Sequence, residues 1–496
     1  MRTHLQRDER EPDRGVPFEN IARHCPPHEV LPRGAAGERP VTAGARPEAT
    51  TKRLLVISSH FPPERGAGVH RMLRLVRQLS SAGWPVTVLT MDPRYYRAGT
   101  PLDEGLLARL PAAVQVYRTK ALRGLATAAR WRRRLRQAFS GATRRFVKPV
   151  AARAHTSGLA GRVRETAPPR RPFIDAEIGW LWHALRRGTA VVSRHNPEII
   201  FSSAPPFTCH LIAGWLARHY NVRWVADFRD PWARAPWGGS NLAQSWRGQL
   251  RRWLERRLVE QADAVILNTP LLRDEFATHY GPQLARKFHT VTNGYDTEVM
   301  APYLQPAPHR SPRLVLTHAG SLYRQRDPRP LLHAVASAIA KRRVEADGIE
   351  LHFVGAVSPD FGVAETLRDL KLGSAVRFTP PVHHHRSLQY LAESDVLVVI
   401  QPGTHLQVPV KLYEYMPFRK PILALAPAGA LRTIIEDGGL GLVVTPDDTD
   451  AIEDAICHLY EHRHRLAERF HTNSTYIDQF DGAVVSGQLQ RILETV

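Results

Sequence analysis

The chain has 496 residues, 43% of them hydrophobic, and a formal net charge of +21 with an isoelectric point near 10.4. This length exceeds one ordinary core, so we expect two α/β domains with additions. The three cysteines, Cys25, Cys209 and Cys457, are far apart and lack a C-x-x-C spacing, which argues against a disulfide framework and against a zinc site.

The sequence predicts a cytoplasmic protein. No apolar run approaches the roughly 20 residues that span a bilayer, and charged residues stand at the amino terminus, where a signal peptide needs an apolar core. Peripheral attachment to the inner face of the membrane stays open, because the positive charge is concentrated in one segment.

Residues 118–171 hold sixteen Lys and Arg against a single acid, Glu165, and so carry +15 of the net charge. Trp131 and Phe139 lie among these arginines, a mixture typical of a basic amphipathic helix on anionic lipid. A solvated insertion without a dedicated partner is the alternative. Nucleic acid is disfavoured, because no recognised binding motif accompanies the charge.

Residues 1–50 are rich in proline and show no hydrophobic period, which predicts a disordered leader. An apolar strand follows at 53–59, then a loop that contains Gly66 and Gly68, then a helical pattern. Glycines let the backbone approach a ligand, and the amino end of a helix offers unpaired N–H groups to an anion. The spacing is not G-x-G-x-x-G, so a dinucleotide site is disfavoured, and a plain strand-to-helix turn stays open.

The pattern predicts a helix at 173–185 and a strand at 223–226, and a charged cluster follows this strand. It reads Asp227-Phe228-Arg229-Asp230-Pro231-Trp232 and lies at a carboxyl strand end, where doubly wound sheets keep their functional groups. One interpretation is an Asp and Arg pair that fixes a loop. The other is a catalytic role in acceptor binding or leaving-group stabilisation for Arg229, Asp227 and Asp230.

A proline-rich run at 302–312 predicts a linker, after which the strand and helix pattern begins again. We therefore expect an acceptor domain at 51–305 with the basic insertion, a donor domain at 306–470, and a carboxyl-terminal helix at 471–496 that packs back toward the first domain. A ligand crevice between the two domains is the default site for this architecture.

Within the second domain, strand 395–400, helix 409–416 and strand 421–425 follow one another. The helix carries Glu414 one turn from its start, where a carboxylate accepts hydrogen bonds from sugar hydroxyls or complements the helix dipole.

Three sequence features suggest a metal site or a reactive thiol, but each has a structural interpretation that we favour. Asp448 and Asp450 have the D-x-D form of metal-dependent transferases, but they precede a helix, where aspartate caps are common. The run at 383–385 is three consecutive histidines, which cannot converge on one metal ion from a regular element, so a loop is expected. Cys209 is expected to be a small packed side chain in a helix. No metal site is predicted.

In these residues and motifs, the chain resembles the glycosyltransferase family 4 enzymes over 53–496. Its motifs come in the family's order, namely the glycine loop, Asn293-Gly294-Tyr295-Asp296, Gly320-Ser321-Leu322, and Val408 to Ala424. The resemblance implies an α/β fold of GT-B architecture, with two Rossmann-like doubly wound domains that face each other across a crevice. It also implies retaining transfer from a nucleotide-sugar to a lipid-linked or small-molecule acceptor in polysaccharide or glycoconjugate biosynthesis, without a cofactor or metal.

The resemblance assigns roles residue by residue. Glu414 resembles the carboxylate that holds the donor ribose, and Arg326 stands about where the family has a lysine for the diphosphate. The whole donor set implied is Gly66, Gly68, Gly320, Arg324, Arg326, Val410, Lys411 and Glu414, with Arg326 also counted as catalytic.

The chain departs from the family at three positions. The family's arginine near Ser321 is missing, Leu406 stands where many members have a first glutamate, and Arg229 stands near the place of a first-domain histidine. Ser321 and Leu406 leave a non-catalytic nucleotide-sugar-binding protein as one alternative. A nucleotide-sugar epimerase is the other, because a fold does not fix the chemistry.

Overall fold

The structure is a computed structural model, and it describes residues 52–122, 174–233, 245–305, 312–470 and 472–496. All of these belong to one compact unit. The predicted leader at 1–50, most of the basic insertion and most of the proline-rich linker lie outside the described residues.

The first domain is built on a seven-stranded parallel sheet in the order β3-β2-β1-β4-β5-β6-β7. The strands are β1 Leu54–Ile57, β2 Val86–Met91, β3 Gln115–Thr119, β4 Ile199–Ala204, β5 Arg223–Phe228, β6 Ala264–Leu267 and β7 Phe288–Thr290. The order reverses between β1 and β4, and in such sheets the ligand crevice lies outside the carboxyl strand ends at that reversal.

Helices cover both faces of this sheet. They are α1 Ala67–Ser81, α2 Gly105–Ala108, α3 Leu181–His195, α4 Thr208–Tyr220, α5 Trp246–Gln261, α6 Pro270–Tyr280, α7 Pro282–Ala285 and α8 Thr297–Met300. Strand β1 shows why both faces are covered. Leu55 and Ile57 join the core that contains α3 to α6, whereas Leu54 and Val56 join the core that contains α1. A continuous apolar strand of this kind requires helices on each side.

The second domain has a six-stranded parallel sheet in the order β10-β9-β8-β11-β12-β13. The strands are β8 Leu314–Ala319, β9 Ile349–Val354, β10 Val376–Thr379, β11 Val396–Ile400, β12 Ile422–Leu425 and β13 Gly441–Val444. Its helices are α9 Arg329–Ala340, α10 Val363–Asp369, α11 His384–Glu393, α12 Val410–Tyr415, α13 Ala430–Asp437, α14 Thr449–Glu461, α15 Leu466–Arg469 and α16 Ser474–Asp478. The predicted architecture of two Rossmann-like domains is confirmed.

The last helix, α17 Gly482–Thr495, contacts α1 of the first domain. Its residues Val485, Leu489 and Leu493 belong to the same apolar core as β1 and α1. The chain crosses back at 480–482, beside its first crossing, where the Tyr295 N–H donates to the Phe480 carbonyl at 3.1 Å.

Two predicted boundaries were wrong. The helix expected at 173–185 is a 3₁₀ turn at Ile178–Trp180 followed by α3, which runs on to His195. The loop expected at 383–385 is instead the start of α11, with His383 as its N-cap residue. The other two interpretations are confirmed: Asp448 caps α14 by accepting from the Ala451 N–H at 3.0 Å, and Cys209 is buried within α4.

Candidate active site

A cavity of about 650 Å³ lies between the two domains, where the carboxyl ends of both sheets meet. The first domain contributes the loop and first turn of α1 together with residues that follow β4, β5 and β6. The second domain contributes residues that follow β8, β9 and β11, and one face of α12. Both walls are therefore made of loops that a rigid sheet positions.

The structure brings the predicted site residues together, with one exception. Those that line the cavity are Gly66, Gly68, Arg229, Asp230, Gly320, Arg324, Arg326, Val410, Lys411 and Glu414. Asp227 does not line it.

Helix α12 presents two different faces. Leu412, Tyr413 and Tyr415 are buried in the second-domain core, so Val410, Lys411 and Glu414 are left on the cavity side. The hydroxyl of Tyr415 accepts a hydrogen bond from the Ala319 N–H at 2.9 Å, which ties the helix to the end of β8. Val410, Lys411 and Glu414 thus stand on a fixed helix.

Glu414 is held by His384, the first residue of α11. The His384 Nε2 donates to Glu414 Oε1 at 3.1 Å. Burial alone raises the pKa of Glu414, but the hydrogen bond and charge of His384 outweigh it, and the net pKa lies below the ordinary value. Burial likewise lowers the pKa of His384 and Glu414 reverses that shift, so its net pKa is raised. The carboxylate is therefore ionised and oriented at neutral pH.

His70, in the first turn of α1, approaches this pair from the opposite domain. Its ring centroid lies 5.5 Å from that of His384. Burial lowers the pKa of His70, and the charge of His384 lowers it further. A neutral His70 can therefore share the crevice with a cationic His384.

Lys411 is held beneath the turn that follows β8. Its Nζ lies 2.9 Å from Nε2 of His318, whose Nδ1 lies 3.0 Å from the Val398 carbonyl oxygen. Since a carbonyl only accepts, His318 carries its proton on Nδ1 and Lys411 donates to Nε2. Burial lowers the pKa of Lys411 to about 7, and the charge of Arg326 adds to that shift.

Gly320 makes room for this ammonium group. A Cβ at position 320 would lie 2.7 Å from Lys411 Nζ, and the backbone φ of +121° is one that side chains disfavour. A glycine here lets Lys411 reach the surface of the cavity.

Arg326 lies at the edge of the cavity and is oriented by two neighbours. Its Nε and Nη2 donate to Gln401 Oε1 at 3.2 and 2.9 Å. Its guanidinium carbon lies 5.2 Å from the ring centroid of Tyr323, and that of Arg324 lies 5.7 Å from the same ring. Together with Lys411, these arginines give the second-domain wall the positive charge that a diphosphate requires.

On the first-domain wall, Arg229 lies under the glycine loop. Its Nε donates to the Ala204 carbonyl at 3.3 Å and its Nη2 donates to the Pro205 carbonyl. A Cβ at position 68 would collide with the Arg229 guanidinium, whereas a Cβ at position 66 would meet only Glu64 Oε1 at 3.9 Å. Position 68 requires a glycine because the Arg229 guanidinium fills the space that a side chain would need. Arg229 supports the loop and also adds a positive charge to the cavity wall.

Asp230 projects into the crevice next to Arg229. Burial raises its pKa, although Arg229 and a hydrogen bond from Gln407 oppose that shift. Gln407 belongs to the second domain, and its amide donates to Asp230 Oδ1 across the crevice. Asn268 lines the same wall, and its buried Oδ1 has no hydrogen-bond partner among the described residues. This wall therefore offers acceptors for hydroxyl groups.

Asp227 corrects one prediction. Its carboxylate is fully buried and accepts from Arg71 Nη2 at 2.9 Å, from Arg71 Nε at 3.1 Å and from Ser203 Oγ at 2.7 Å. This is the pair that fixes a loop, but its arginine is Arg71 rather than Arg229. A catalytic role is disfavoured because Arg71 and Ser203 are structural partners and the carboxylate does not reach the cavity.

Leu406, which the resemblance aligns with a glutamate of the family, is buried against the first-domain core. Thr269 Oγ1 donates to its carbonyl at 2.7 Å. The loop between β11 and α12 is thereby docked on the first domain, and the adjacent Gln407 reaches Asp230.

Sequence reasoning missed His70, His384, Gln407 and Asn268, which all line the cavity. His384 had been set aside with its neighbours because three consecutive histidines do not form a metal site. The start of a helix that faces the crevice was the only signal that could have singled it out. Asn268 follows a buried strand directly, and that position could have been read as a site residue.

Among the described residues, no group of three or more histidine, cysteine or acidic side chains comes together in a way that could hold a metal ion. Within the same residues, we find no helix that combines the length and apolar character needed to cross a bilayer.

Comparison with known proteins finds a glycosyltransferase family model on each domain. The family model for glycosyl transferases group 1 matches residues 313–462, and the model for Glycosyltransferase Family 4 matches residues 143–299. This is a glycosyltransferase family 4-like chain. One model falls on each domain, in the order that the fold requires.

Curated relatives match part of this chain's length. The D-inositol 3-phosphate glycosyltransferase of Paenarthrobacter aurescens is 30% identical over 212 residues, which are 40% of this chain and 50% of that protein. The alpha-maltose-1-phosphate synthase of Mycolicibacterium smegmatis is 27% identical over 49% of this chain and 64% of that protein. The chain thus spans about half the length of the first of these relatives.

A solved structure matches almost all of the fold. Anabaena HepE in complex with UDP has a TM-score of 0.61 at 15% identity, and the match covers 90% of this chain and 100% of that one. The likeness shows that the chain has the GT-B fold.

Proposed function

We propose that the protein transfers a sugar from a nucleotide-sugar donor to a lipid-linked or small-molecule acceptor, with retention at the anomeric carbon, in polysaccharide or glycoconjugate biosynthesis. The observation that carries the proposal is the cavity itself. An oriented carboxylate, Glu414, and three cations on the second-domain wall face Arg229 and Asp230 on the first.

The donor fits the second-domain wall. Glu414, held ionised by His384, accepts hydrogen bonds from the ribose hydroxyls, and Lys411, Arg324 and Arg326 neutralise the diphosphate. The loop of Gly66 and Gly68 closes over the diphosphate from the other side, with Arg229 beneath it. Complexes of Anabaena HepE with UDP and with UDP-glucose support this class of donor.

The chemistry follows from charge. When the bond between sugar and diphosphate breaks, negative charge grows on the leaving phosphate, and fixed cations stabilise that transition state more than the ground state. These side chains supply the charge without a metal. The leaving phosphate then takes the proton of the attacking acceptor hydroxyl on the same face of the sugar, which retains the configuration.

The acceptor fits the first-domain wall, where Asp230, Asn268 and Arg229 meet the crevice. Asp230 and the Asn268 carbonyl oxygen accept hydrogen bonds from hydroxyls, and Arg229 adds a positive charge. Two relatives, the D-inositol 3-phosphate glycosyltransferase and the alpha-maltose-1-phosphate synthase, are named for phosphorylated polyols and sugars, which have these groups.

The basic segment at 118–171 is the proposed contact with an anionic membrane that carries a lipid-linked acceptor. Deletion of residues 130–145 should weaken binding to anionic vesicles, and unchanged binding would remove this part of the proposal. Only its first residues, 118–122, are among those the structure describes.

The proposal is tested with radiolabelled UDP-, GDP- and dTDP-sugars, added to the protein with bacterial lipid extract, inositol phosphates and sugar phosphates as acceptors. We expect label in a product with one donor, with loss of transfer in Glu414→Ala. The anomeric proton coupling of the product, measured by NMR, should match that of the donor. Conversion of the donor without any acceptor would instead indicate an epimerase, and binding without turnover a non-catalytic protein.

A further inference from the structure

His70 is a polar side chain on α1 whose hydrogen-bonding capacity the first domain leaves unused. Arg71, the next residue, is bonded to Asp227 in the interior, and Arg74, one turn later, donates to a backbone carbonyl at 2.9 Å. The ring of His70 makes no hydrogen bond with any described residue, and its centroid lies 5.5 Å from that of the His384 ring on the opposite domain. Both ring nitrogens can therefore bond to a ligand that enters the crevice.

His70 lies on the partition between two cavities. The cavity of about 650 Å³ is on one side, and a smaller cavity of about 30 Å³ is on the other. The residues that line both are His70, Asn293, His384, Val410 and Glu414. A ligand group that binds Glu414 thus lies at the same partition as His70, so one hydroxyl-bearing ring can contact both side chains.

The surroundings of His70 keep its ring neutral. Burial lowers its pKa, the charge of His384 adds to this shift, Glu414 opposes it, and Arg109 and Arg74 lower it further, with a net pKa below the ordinary value. A neutral imidazole has one N–H donor and one nitrogen acceptor. At neutral pH the ring can therefore both donate to and accept from hydroxyl groups.

Glu414 alone leaves the hydroxyl pair of a ribose only partly bonded. The carboxylate is ionised and only accepts, and its Oε1 already receives a hydrogen bond from His384 Nε2 at 3.1 Å. Each of the two neighbouring ribose hydroxyls has a hydrogen to donate and lone pairs that accept. A neutral imidazole opposite the carboxylate supplies the missing donor, or accepts the hydrogen of the second hydroxyl.

We propose that His70 is a donor-binding residue of the first domain, which hydrogen-bonds one of the two ribose hydroxyls while Glu414 accepts from the other. The donor is then a ribonucleotide-sugar, and a deoxyribonucleotide-sugar, such as a dTDP-sugar, is disfavoured. This inference rests on the proposed function, because it needs a nucleotide-sugar in the crevice with its ribose at Glu414. It extends that function by a contact from the opposite domain and by the kind of nucleotide that the contact selects.

The test is isothermal titration of the full chain with UDP, GDP and dTDP, and with the 2′-deoxy and 3′-deoxy analogues of UDP and GDP. The wild type should bind UDP or GDP more tightly than dTDP. It should bind both deoxy analogues of that nucleotide about tenfold or more weakly, since a site that bonds a hydroxyl is left with an unpaired polar group when the hydroxyl is missing.

Substitution of His70 should remove one part of this discrimination. His70→Ala should bind the parent nucleotide about three- to tenfold more weakly, because one hydrogen bond is lost. It should no longer discriminate against one of the two deoxy analogues, while its discrimination against the other stays. His70→Phe, which is flat and apolar, should behave in the same way.

Two further variants serve as controls. His70→Gln, whose amide both donates and accepts, should restore most of the discrimination. His333→Ala removes an exposed histidine from α9, outside the cavity, and should bind every nucleotide as the wild type does. Melting temperatures of all variants show that the native fold is kept.

The outcomes separate this inference from the proposed function. If Glu414→Ala weakens nucleotide binding but His70→Ala discriminates against both analogues as the wild type does, His70 is not a ribose ligand and the proposed function stands. Tightest binding of dTDP by the wild type, or equal binding of the parent and both analogues, would overturn the ribonucleotide assignment. If no nucleotide bound the wild type, the proposed function would fail and this inference with it.

Discussion

Gly66 and Gly68 stand two residues apart in the same loop, yet the structure gives them different roles. A Cβ at position 68 would displace the Arg229 guanidinium, whereas one at position 66 has space. Gly68→Ala should therefore lower the transfer rate by disturbing the loop and Arg229 together, and Gly66→Ala should leave it nearly unchanged. Steady-state kinetics of the two variants make this comparison, and equal effects would contradict the assigned packing.

Lys411 provides a prediction about pH. Because burial holds its pKa at about 7, Lys411 loses its charge as the pH rises through neutrality. Bound diphosphate favours the charged form, so UDP affinity should fall as the pH rises above 7. Unfolding should respond in the opposite direction, because the unfolded lysine binds its proton more tightly and the native state gains stability between about pH 7 and the ordinary lysine pKa.

Calorimetric titration of UDP and thermal unfolding, both measured across this pH range, test the prediction. In Lys411→Met both dependences should become weaker. If UDP affinity in the wild type rose with pH above neutrality, Lys411 would not be a cation for the diphosphate.

Among the elements, β5 and the turn after it carry two aspartates with contrasting surroundings. Asp227 is paired with Arg71 in the interior, while Asp230 lines the cavity. Asp227→Asn leaves a buried guanidinium without its counter-charge and should lower the free energy of unfolding by about 3–5 kcal/mol. Asp230→Asn should change that energy little and reduce the turnover of acceptor instead.

Denaturant unfolding and steady-state kinetics of these two variants separate the roles. A stable, inactive Asp227→Asn variant would restore the catalytic role that its buried position disfavours. An Asp230→Asn variant with unchanged kinetics would remove Asp230 from the acceptor wall.

The elements also show how far the sequence determines the structure. Strands such as β1 and β11 were predicted because their apolar runs are continuous, and only a strand buried on both faces has that pattern. The start of α3 was misplaced, because the 3₁₀ turn at Ile178–Trp180 is apolar too and has no sequence signal that separates it from the helix.

At the scale of the whole molecule, the two walls of the site come from distant parts of the chain. Within the second domain, consecutive sequence patterns predicted the strand, loop and helix that hold Glu414. Contacts across the crevice, such as those of Gln407 with Asp230 and of His70 with His384, depend on how two separate sheets face each other. No local pattern contains that information, so these residues became visible only in the folded chain.

Helix α17 follows the second domain in sequence but packs against α1 of the first domain. Leu493 is fully buried in the core beside α1, so Leu493→Ala should lower the free energy of unfolding by about 2–5 kcal/mol. Hydrogen exchange should show the loss of protection in α1 and β1 more than in the second sheet, and Val484→Ala should show little change. Equal loss in both domains would mean that the core is shared more widely than the packing indicates.

In the proposed function the crevice binds a nucleotide-sugar through Glu414, and a measurement of donor binding tests this most directly. Isothermal titration of UDP, GDP and dTDP, each with its sugar conjugates, should find at least one that binds the wild type. That ligand should bind Glu414→Ala about tenfold to a hundredfold more weakly, because a hydrogen bond to a charged group is lost, and Glu365→Gln, an exposed change on α10, should have no effect. If no nucleotide bound, or if Glu414→Ala bound it as tightly as the wild type, the account of this site would be contradicted.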